Sequence, residues 1–241
     1  MEGSGVLHAI RNLGSNKLKE RNNALDELTS TLKQSPDSIP VKSLGPVTEL
    51  LIELLDSEHR KYNDILTNLT DTKLGKQTLC ENRLSSIAYV LRLLIEKTCS
   101  RIKLKTLKLL LAVLPELMVK QQSKILLDPV SVHISFSILA LVNCQLFQSK
   151  FSLHQWVSLV NTTCEYLKER FKTSLTDRSV SNLISILSRL IAMDTIGLYQ
   201  VFLTVHHTIL QYLKFSKRQI LNTRLIISLI KHLILKTHCI D

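Results

Sequence analysis

Aromatic residues are scarce in this sequence of 241 residues: they make up 5% of it, with one tryptophan, Trp156. A hydrophobic core must therefore come mainly from leucine and isoleucine, within a hydrophobic content of 45%. Long apolar runs are missing too. The longest, Leu109–Leu114, ends at Pro115, whereas a membrane-spanning helix needs roughly 18 apolar residues. We therefore expect a globular protein with no membrane partner, in which Trp156 packs between helices.

Cysteine is present only as five widely spaced residues, and no CxxC or Cys/His ligand spacing occurs. An odd number without such spacing indicates reduced thiols that pack in the core of a cytosolic or nuclear protein. The histidines are scattered, so no zinc site is predicted. The residues concerned are Cys80, Cys99, Cys144, Cys164 and Cys239.

Motifs of known catalysts are absent as well. The sequence has no GxxxxGK[ST] loop, no other glycine-rich nucleotide loop, no GxSxG and no catalytic loop of a kinase. Glu49 and Glu53 share a helix face near Asp56 and His59, a spacing that could serve acid–base chemistry. Because charged residues surround them, a solvated helix end is the favoured interpretation. We predict no catalytic, cofactor-binding or metal-binding residue.

Positive charge is what the sequence has in excess. Its net charge is +11 and its pI about 9.5, which favours nucleic acid or another acidic partner. The richest basic stretch could contact phosphates or an acidic partner, or could be a solvated turn. Since aromatic residues are nearly missing there, stacking on single-stranded bases is not expected. The stretch contains Lys97, Arg101, Lys103, Lys105 and Lys108.

Helical periodicity recurs along the whole sequence, and convincing strand alternation does not. Units of about 40 residues with two helices each predict an all-α fold, a HEAT-like solenoid of about ten antiparallel-paired helices, in one segment over residues 1–241. Pro115 is expected to end or kink its helix, and Asn82–Thr98 with Lys103–Val119 to form the clearest pair. The other predicted helices are Val6–Leu13, about 16–33, Pro46–Asn68, Val130–Leu146, Leu153–Lys172, Asp177–Met193, Thr195–Phe215 and Arg218–Lys236.

One stretch near the start has an unusual pattern, Leu13-x-x-x-Lys17-x-x-Glu20-Arg21-x-x-x-Leu25. Ser15 or Asn16 can cap a helix here, closed off from the preceding helix by Gly14. Its predicted apolar stripe consists of Leu18, Leu25, Leu28 and Leu32. At roughly 100° per residue, Arg21 falls inside this stripe. Either Arg21 extends from the stripe edge and pairs with an acid of the next helix, or it forms with Lys17 and Glu20 a charged row that receives a partner.

This pattern resembles the short N-terminal motif of the ATM and telomere-maintenance kinases, [LVI]-x-x-x-[RK]-x-x-E-R-x-x-x-[LVI], and every specified position matches. The stretches KERNNALDELT, ENRLSSIAYVLRLLIEKTCSRIKLKTLKLLLAVLPELMV, HQWVSLV and NTRLIISLI are similar to the start of the budding-yeast members of that family. The resemblance covers essentially the whole sequence. The sequence also ends directly after an apolar predicted helix, so we expect a fragment of a longer chain.

The resemblance implies a scaffold without catalytic residues, attached to a serine/threonine kinase that uses ATP and Mg²⁺ and acts as a homodimer. Such kinases act in the nucleus, at telomeres and DNA breaks, and are recruited by the Mre11–Rad50–Nbs/Xrs complex, here through an acidic peptide. Carried over by position, the partner-binding motif is Leu13, Lys17, Glu20, Arg21 and Leu25. The alternatives are that the motif only fastens the first two repeats together, that the chain binds DNA directly, or that it is a stand-alone adaptor solenoid.

Overall fold

The computed structural model describes residues 3–67, 74–120, 128–144, 152–173, 178–193, 196–215, 227, 229–231 and 234–235. All regular structure in these residues is helical, which confirms the all-α class. The helices are α1 Gly3–Leu13, α2 Leu18–Gln34, α3 Val41–Thr67, α4 Leu74–Thr98, α5 Leu104–Lys120, α6 Asp128–Asn143, α7 Leu153–Thr173, α8 Arg178–Met193 and α9 Ile196–Phe215, with a 3₁₀ turn at Pro36–Ser38.

The chain divides into two compact units, Met1–Leu110 and Leu111–Asp241. In the first unit α1 packs against α2, α2 against α4, and α3 against α4. The Tyr62 hydroxyl near the end of α3 donates a 3.0 Å hydrogen bond to Glu81 near the start of α4. These two helices therefore run antiparallel.

In the second unit α6 packs against α8, while α7 packs against both α8 and α9. The Trp156 indole N–H donates a 2.8 Å hydrogen bond to the Leu190 carbonyl, which joins the start of α7 to the end of α8. The side chain is 2% exposed, so the predicted packing role of Trp156 is confirmed. Stacking of alternate helices, as in α6–α8 and α7–α9, is the arrangement of an α-solenoid. Its HEAT-like character stays a prediction.

A proline misled one predicted boundary: helix α3 begins at Val41, five residues before the predicted start at Pro46. Helix α5 lies within one residue of its predicted bounds at each end and continues through Pro115, so this proline does not end it. A proline inside a helix costs about 3 kcal/mol because its amide hydrogen bond is lost. Side chains on both sides of each proline are buried, and this packing holds the helices together. They are Leu44 and Val47 around Pro46, and Leu110, Leu114 and Leu117 around Pro115.

Other predictions were wrong at the start of α4 and at Gly14. Helix α4 begins at Leu74, eight residues before the predicted start at Asn82, and it packs against α3 and α2. Gly14 has no positive φ, and its N–H donates to the Arg11 carbonyl at 3.2 Å, so α1 ends in a tight turn without a left-handed cap. The predicted helix starts Asp177 and Thr195, and most of the helix predicted at 218–236, lie outside the described residues.

Candidate functional site

The apolar ends of the motif lie in the interface between α1 and α2. Leu13, the last residue of α1, is fully buried, and Leu25 in α2 is 6% exposed. These two leucines thus pack within the first unit, where the helices contact each other. Any surface that the motif offers to a partner must come from its three charged residues.

Arg21 lies in the middle of the buried face of α2. The buried side chains of this helix are Ala24, Leu25, Leu28 and Leu32. At 100° per residue Arg21 projects near the centre of their arc, one turn earlier, and its side chain is half-buried. Leu18, which was predicted to belong to the stripe, is 36% exposed because it lies at the edge of this arc. That prediction was wrong.

The predicted pairing of Arg21 with an acid of the next helix is not found. Among the residues that the structure describes, no carboxylate lies within ion-pair distance of its guanidinium. A half-buried cation in an apolar stripe loses part of its hydration and gains nothing from a partner charge in return. Arg21 therefore has both the charge and the unused donors to bind an external anion.

Glu20 is fixed by two neighbours. Its carboxylate accepts a 2.6 Å hydrogen bond from the Ser15 hydroxyl and a 2.9 Å hydrogen bond from the Lys17 ammonium. The Ser15 hydrogen bond first, and the Lys17 one second, lower the pKa of Glu20, while the hydrogen bond with Glu20 raises the pKa of Lys17. The two charges offset each other locally, so Arg21 carries the net positive charge of the row.

Ser15 contributes differently from its predicted role as a helix cap. The N-cap position of α2 is Lys17, whose side chain makes no capping hydrogen bond. Ser15 accepts instead from the Lys17 backbone N–H at 3.1 Å while it donates to Glu20. Ser15 therefore belongs to the site although the motif does not specify it. The only feature of the sequence that pointed to Ser15 was its place, as a polar residue, just before the helix.

The basic stretch between α4 and α5 separates into two kinds of residue. Lys97, Lys103, Lys105 and Lys108 are exposed. Arg101 is not: its side chain is 24% exposed. Its guanidinium donates to the carbonyls of Pro36, Asp37 and Ile39 at 3.1, 3.4 and 2.8 Å, and to the Asp37 carboxylate at 2.9 Å. Arg101 thus fixes the turn around Pro36–Ser38, which leaves four lysines for phosphate contacts.

Glu49 and Glu53 are exposed, as predicted, but they lie inside α3 rather than at a helix end, and the residues that follow them are partly buried. Glu58 is 3% and His59 8% exposed, and the Glu58 carboxylate pairs with Lys61 at 2.6 Å and Arg83 at 3.6 Å. Burial, with the nearby Glu58 second, raises the pKa of Cys80 to about 11. The sequence signal was the spacing Leu51, Leu55, Glu58, Tyr62, which places Glu58 on the buried face of α3. This cluster ties α3 to α4 and offers no free acid–base pair.

The part of the chain that the structure describes contains no group of three or more His, Cys, Asp or Glu side chains arranged to hold a metal ion. None of its helices combines the length and the apolarity needed to cross a membrane.

Comparisons with known proteins place these observations in a family. Residues 6–157 match the TAN family, described as telomere-length maintenance and DNA damage repair. The chain is 55% identical over 239 residues to the serine/threonine-protein kinase TEL1 of Saccharomyces cerevisiae, covering 99% of this chain and 9% of that protein. The proteins of the same name from Kluyveromyces lactis and Eremothecium gossypii are 37% and 32% identical, over 96% and 98% of this chain and 8% of each relative.

No solved structure matches the chain. The chain spans less than a tenth of the length of these curated relatives. The family match includes the whole motif from Leu13 to Leu25 and the basic stretch after α4. The fold, the motif and the match over more than half of the residues agree, and the chain belongs to the TAN family of telomere-length maintenance and DNA damage repair.

Proposed function

We propose that this chain is a non-catalytic interaction scaffold at the N-terminus of a serine/threonine kinase that acts in telomere-length maintenance and DNA double-strand-break signalling. The relatives are serine/threonine-protein kinases, and the family description names telomere-length maintenance and DNA damage repair. The chain's own residues support a binding role, since its notable polar groups are a charged row and a set of exposed lysines.

The observation that carries the binding role is the position of Arg21. This guanidinium lies half-buried at the centre of an apolar stripe without an ion pair among the described residues. A carboxylate from a partner would restore the pairing that it lacks, by charge-assisted hydrogen bonds in a bidentate geometry. Beside it Lys17, 79% exposed and oriented by Glu20, can bind a second acid.

The proposed partner is therefore an acidic peptide segment. The family resemblance suggests its source, the Nbs/Xrs subunit of the Mre11–Rad50–Nbs/Xrs complex, which would recruit the kinase to DNA ends. Leu13 and Leu25 do not take part in direct contact because both are buried. They hold α1 and α2 together beneath the row.

Binding of the acidic C-terminal peptide of the Nbs/Xrs subunit, at two salt concentrations, tests this proposal. The variant is Lys17→Glu with Arg21→Glu, and the matched control is Lys19→Glu with Lys42→Glu, which changes net charge equally at exposed positions. We expect the motif variant to lose binding while circular dichroism keeps its helix content, and the control to bind nearly as the wild type does. Loss of folding in the motif variant alone would favour a structural role for the motif.

The proposal extends to properties of the longer protein that this segment would belong to. We place the kinase activity, with its ATP and Mg²⁺, outside this segment, since the sequence contains neither a nucleotide-binding loop nor a catalytic loop of a kinase. A nuclear location at telomeres and DNA breaks, and a homodimeric kinase, are further expectations from the resemblance.

Direct DNA binding is the second candidate function. The observation that favours it is the set of four exposed lysines around the turn between α4 and α5. Phosphate contacts release counterions, so DNA affinity would fall steeply with salt. Binding of duplex DNA that ignores the motif variant but falls steeply with salt would support this candidate over peptide binding.

A further inference from the structure

The turn after α2 presents an accessible hydroxyl, that of Ser35. This residue follows the last residue of α2 and has φ −144° and ψ 64°. Its N–H donates to the Thr31 carbonyl at 2.8 Å, and its carbonyl accepts from the Ser38 hydroxyl at 2.6 Å. The Ser35 side chain is exposed, and among the described residues its own hydroxyl takes no part in these or other hydrogen bonds. The backbone around Ser35 is thus held while its hydroxyl is free to react.

Ser35 is also the only serine or threonine of the sequence that a proline follows. A serine followed by proline is the minimal pattern that proline-directed protein kinases phosphorylate. The proline keeps the serine before it out of a helix, which suits an active site that binds its substrate extended. Ser38 in the same turn lacks both properties, because its hydroxyl is bonded and Ile39 follows it. The pattern and the accessible hydroxyl therefore coincide at one position.

A guanidinium group lies against this turn. Arg101 donates to the Pro36 carbonyl at 3.1 Å and to the Asp37 carboxylate at 2.9 Å. Because the Asp37 side chain is 90% exposed, its pair with Arg101 is weak and exchanges readily. A phosphate on Ser35 would carry between about 1.5 and 2 negative charges and three acceptor oxygens. Such a group can displace the Asp37 carboxylate from Arg101.

Two lysines add to the positive charge around the turn. Lys33 precedes Ser35 by two residues, and its ammonium lies 5.4 Å from the ring centre of Tyr89 in α4. Lys97 is exposed in the last turn of α4, the helix that packs against this turn. The carbonyl end of α2 disfavours a phosphate, but these lysines and Arg101 oppose that effect. All of these residues lie within the first unit.

We propose that Ser35 is a phosphorylation site for a proline-directed protein kinase, and that Arg101 and Lys97 bind its phosphate. That kinase is a separate protein, because this sequence has no catalytic loop of a kinase. The γ-phosphoryl group of ATP passes to the Ser35 hydroxyl oxygen: the bond from the γ-phosphorus to the oxygen bridging the β-phosphate breaks, and a phosphorus–oxygen bond to serine forms. ADP leaves, and the hydroxyl proton passes through the catalytic base of that kinase to water.

Phosphorylation would also neutralise part of the basic stretch, to which Lys97 and Arg101 belong. We therefore expect phosphorylation to lower the affinity of the chain for duplex DNA about tenfold at low salt, since phosphates of DNA are repelled there. This consequence rests on the second candidate function. The modification itself does not, and it is separate from the charged row of α2.

Incubation of the 241-residue chain with ATP and a cyclin-dependent kinase, followed by mass spectrometry, tests the modification. Trypsin cleaves after Lys33 and Lys42, and fragmentation of the released peptide distinguishes Ser35 from Ser38. We expect one phosphate on Ser35 in the wild type and in Ser38→Ala, and none on this peptide in Ser35→Ala. Pro36→Ala should slow incorporation at least about tenfold. Circular dichroism verifies that each variant is folded.

Phosphorus NMR identifies the groups that bind the phosphate. The second pKa of phosphoserine is about 6, and neighbouring cations lower this pKa because they favour the dianion. We expect a lowered pKa in the phosphorylated wild type, and a return toward about 6 in Arg101→Ala and in Lys97→Ala. Lys105→Ala, at an exposed position of α5, should leave the pKa lowered. Since Lys97 is exposed, its variant keeps the test decisive even if Arg101→Ala loses its fold.

Several outcomes would overturn the proposal. They are a folded wild type that takes no phosphate on Ser35, incorporation only after unfolding in urea, equal incorporation in Pro36→Ala, and a phosphoserine pKa that neither cation variant changes. A chain that binds no duplex DNA in either form would instead contradict the second candidate function and leave the Ser35 site standing. DNA affinity that phosphorylation does not change would contradict the consequence for the basic stretch.

Discussion

Replacing Arg101 by alanine should destabilise the first unit by about 2–3 kcal/mol. Its guanidinium bonds the carbonyls of Ile39 and Pro36 at 2.8 and 3.1 Å, and hydrogen bonds to charged groups contribute about 1.5–3 kcal/mol each. Because the side chain is 24% exposed, the lower end of this range applies to each bond. The carboxylate of Asp37 adds little, since that side chain is 90% exposed and such pairs contribute about 0–1 kcal/mol.

Urea denaturation followed by circular dichroism gives the free energy of unfolding. We expect Asp37→Ala to cost less than about 1 kcal/mol. Arg101→Lys should fall between the two alanine variants, because one ammonium group cannot bridge acceptors that a planar guanidinium reaches together. Lys105→Ala is the control at an exposed position of the same basic stretch.

The reasoning would be refuted if Arg101→Ala unfolded at the same urea concentration as Lys105→Ala. If Arg101→Ala also lowered the affinity for duplex DNA without loss of stability, Arg101 would be a phosphate contact, as the sequence had suggested. The two roles are therefore separated by one pair of measurements on one variant.

Three further predictions concern other contacts. If duplex DNA binds at the four lysines, a plot of the logarithm of the binding constant against the logarithm of the salt concentration should have a slope no steeper than about −3.6. Fluorescence anisotropy measures this slope, and Arg101→Ala should leave it unchanged. Ser15→Ala should bring the pKa of Glu20 back toward its usual value, which a carboxyl NMR titration measures. In the wild type this pKa is lowered in the folded state. The contribution of Glu20 to stability is therefore present above about pH 4.3 and is lost as the pH falls through the folded pKa. Trp156→Phe should cost about 1–3 kcal/mol in urea denaturation, because the Leu190 carbonyl loses its indole donor, and an unchanged stability would contradict that role.

Much of the fold could be predicted because helical periodicity is a local property. Helices α7, α8 and α9 begin and end within about one residue of their predicted bounds. The error at Pro46 has a physical cause. Proline acts locally and costs about 3 kcal/mol, whereas the leucines that offset this cost become buried only when other helices pack against them. A boundary at a proline thus depends on tertiary structure.

The site was less predictable than the fold. The helical pattern singled out Arg21 as a charged residue on an apolar face, and the structure places it on the buried face of α2. Arg101 shows the limit, because its acceptors lie more than 60 residues away in the sequence and no local pattern connects them. Similarly, the burial of Glu58 depends on Arg83 of another helix.

The central claim is that Arg21 is a binding residue rather than a structural one, and Arg21→Met tests it most directly. Methionine has a similar length and a good helix propensity, and it places hydrocarbon in the apolar stripe. We predict that this variant keeps or gains stability in urea denaturation, while its affinity for the acidic Nbs/Xrs peptide falls at least about tenfold. Reduced stability with unchanged peptide affinity would contradict the account, and would make Arg21 part of the packing between α1 and α2.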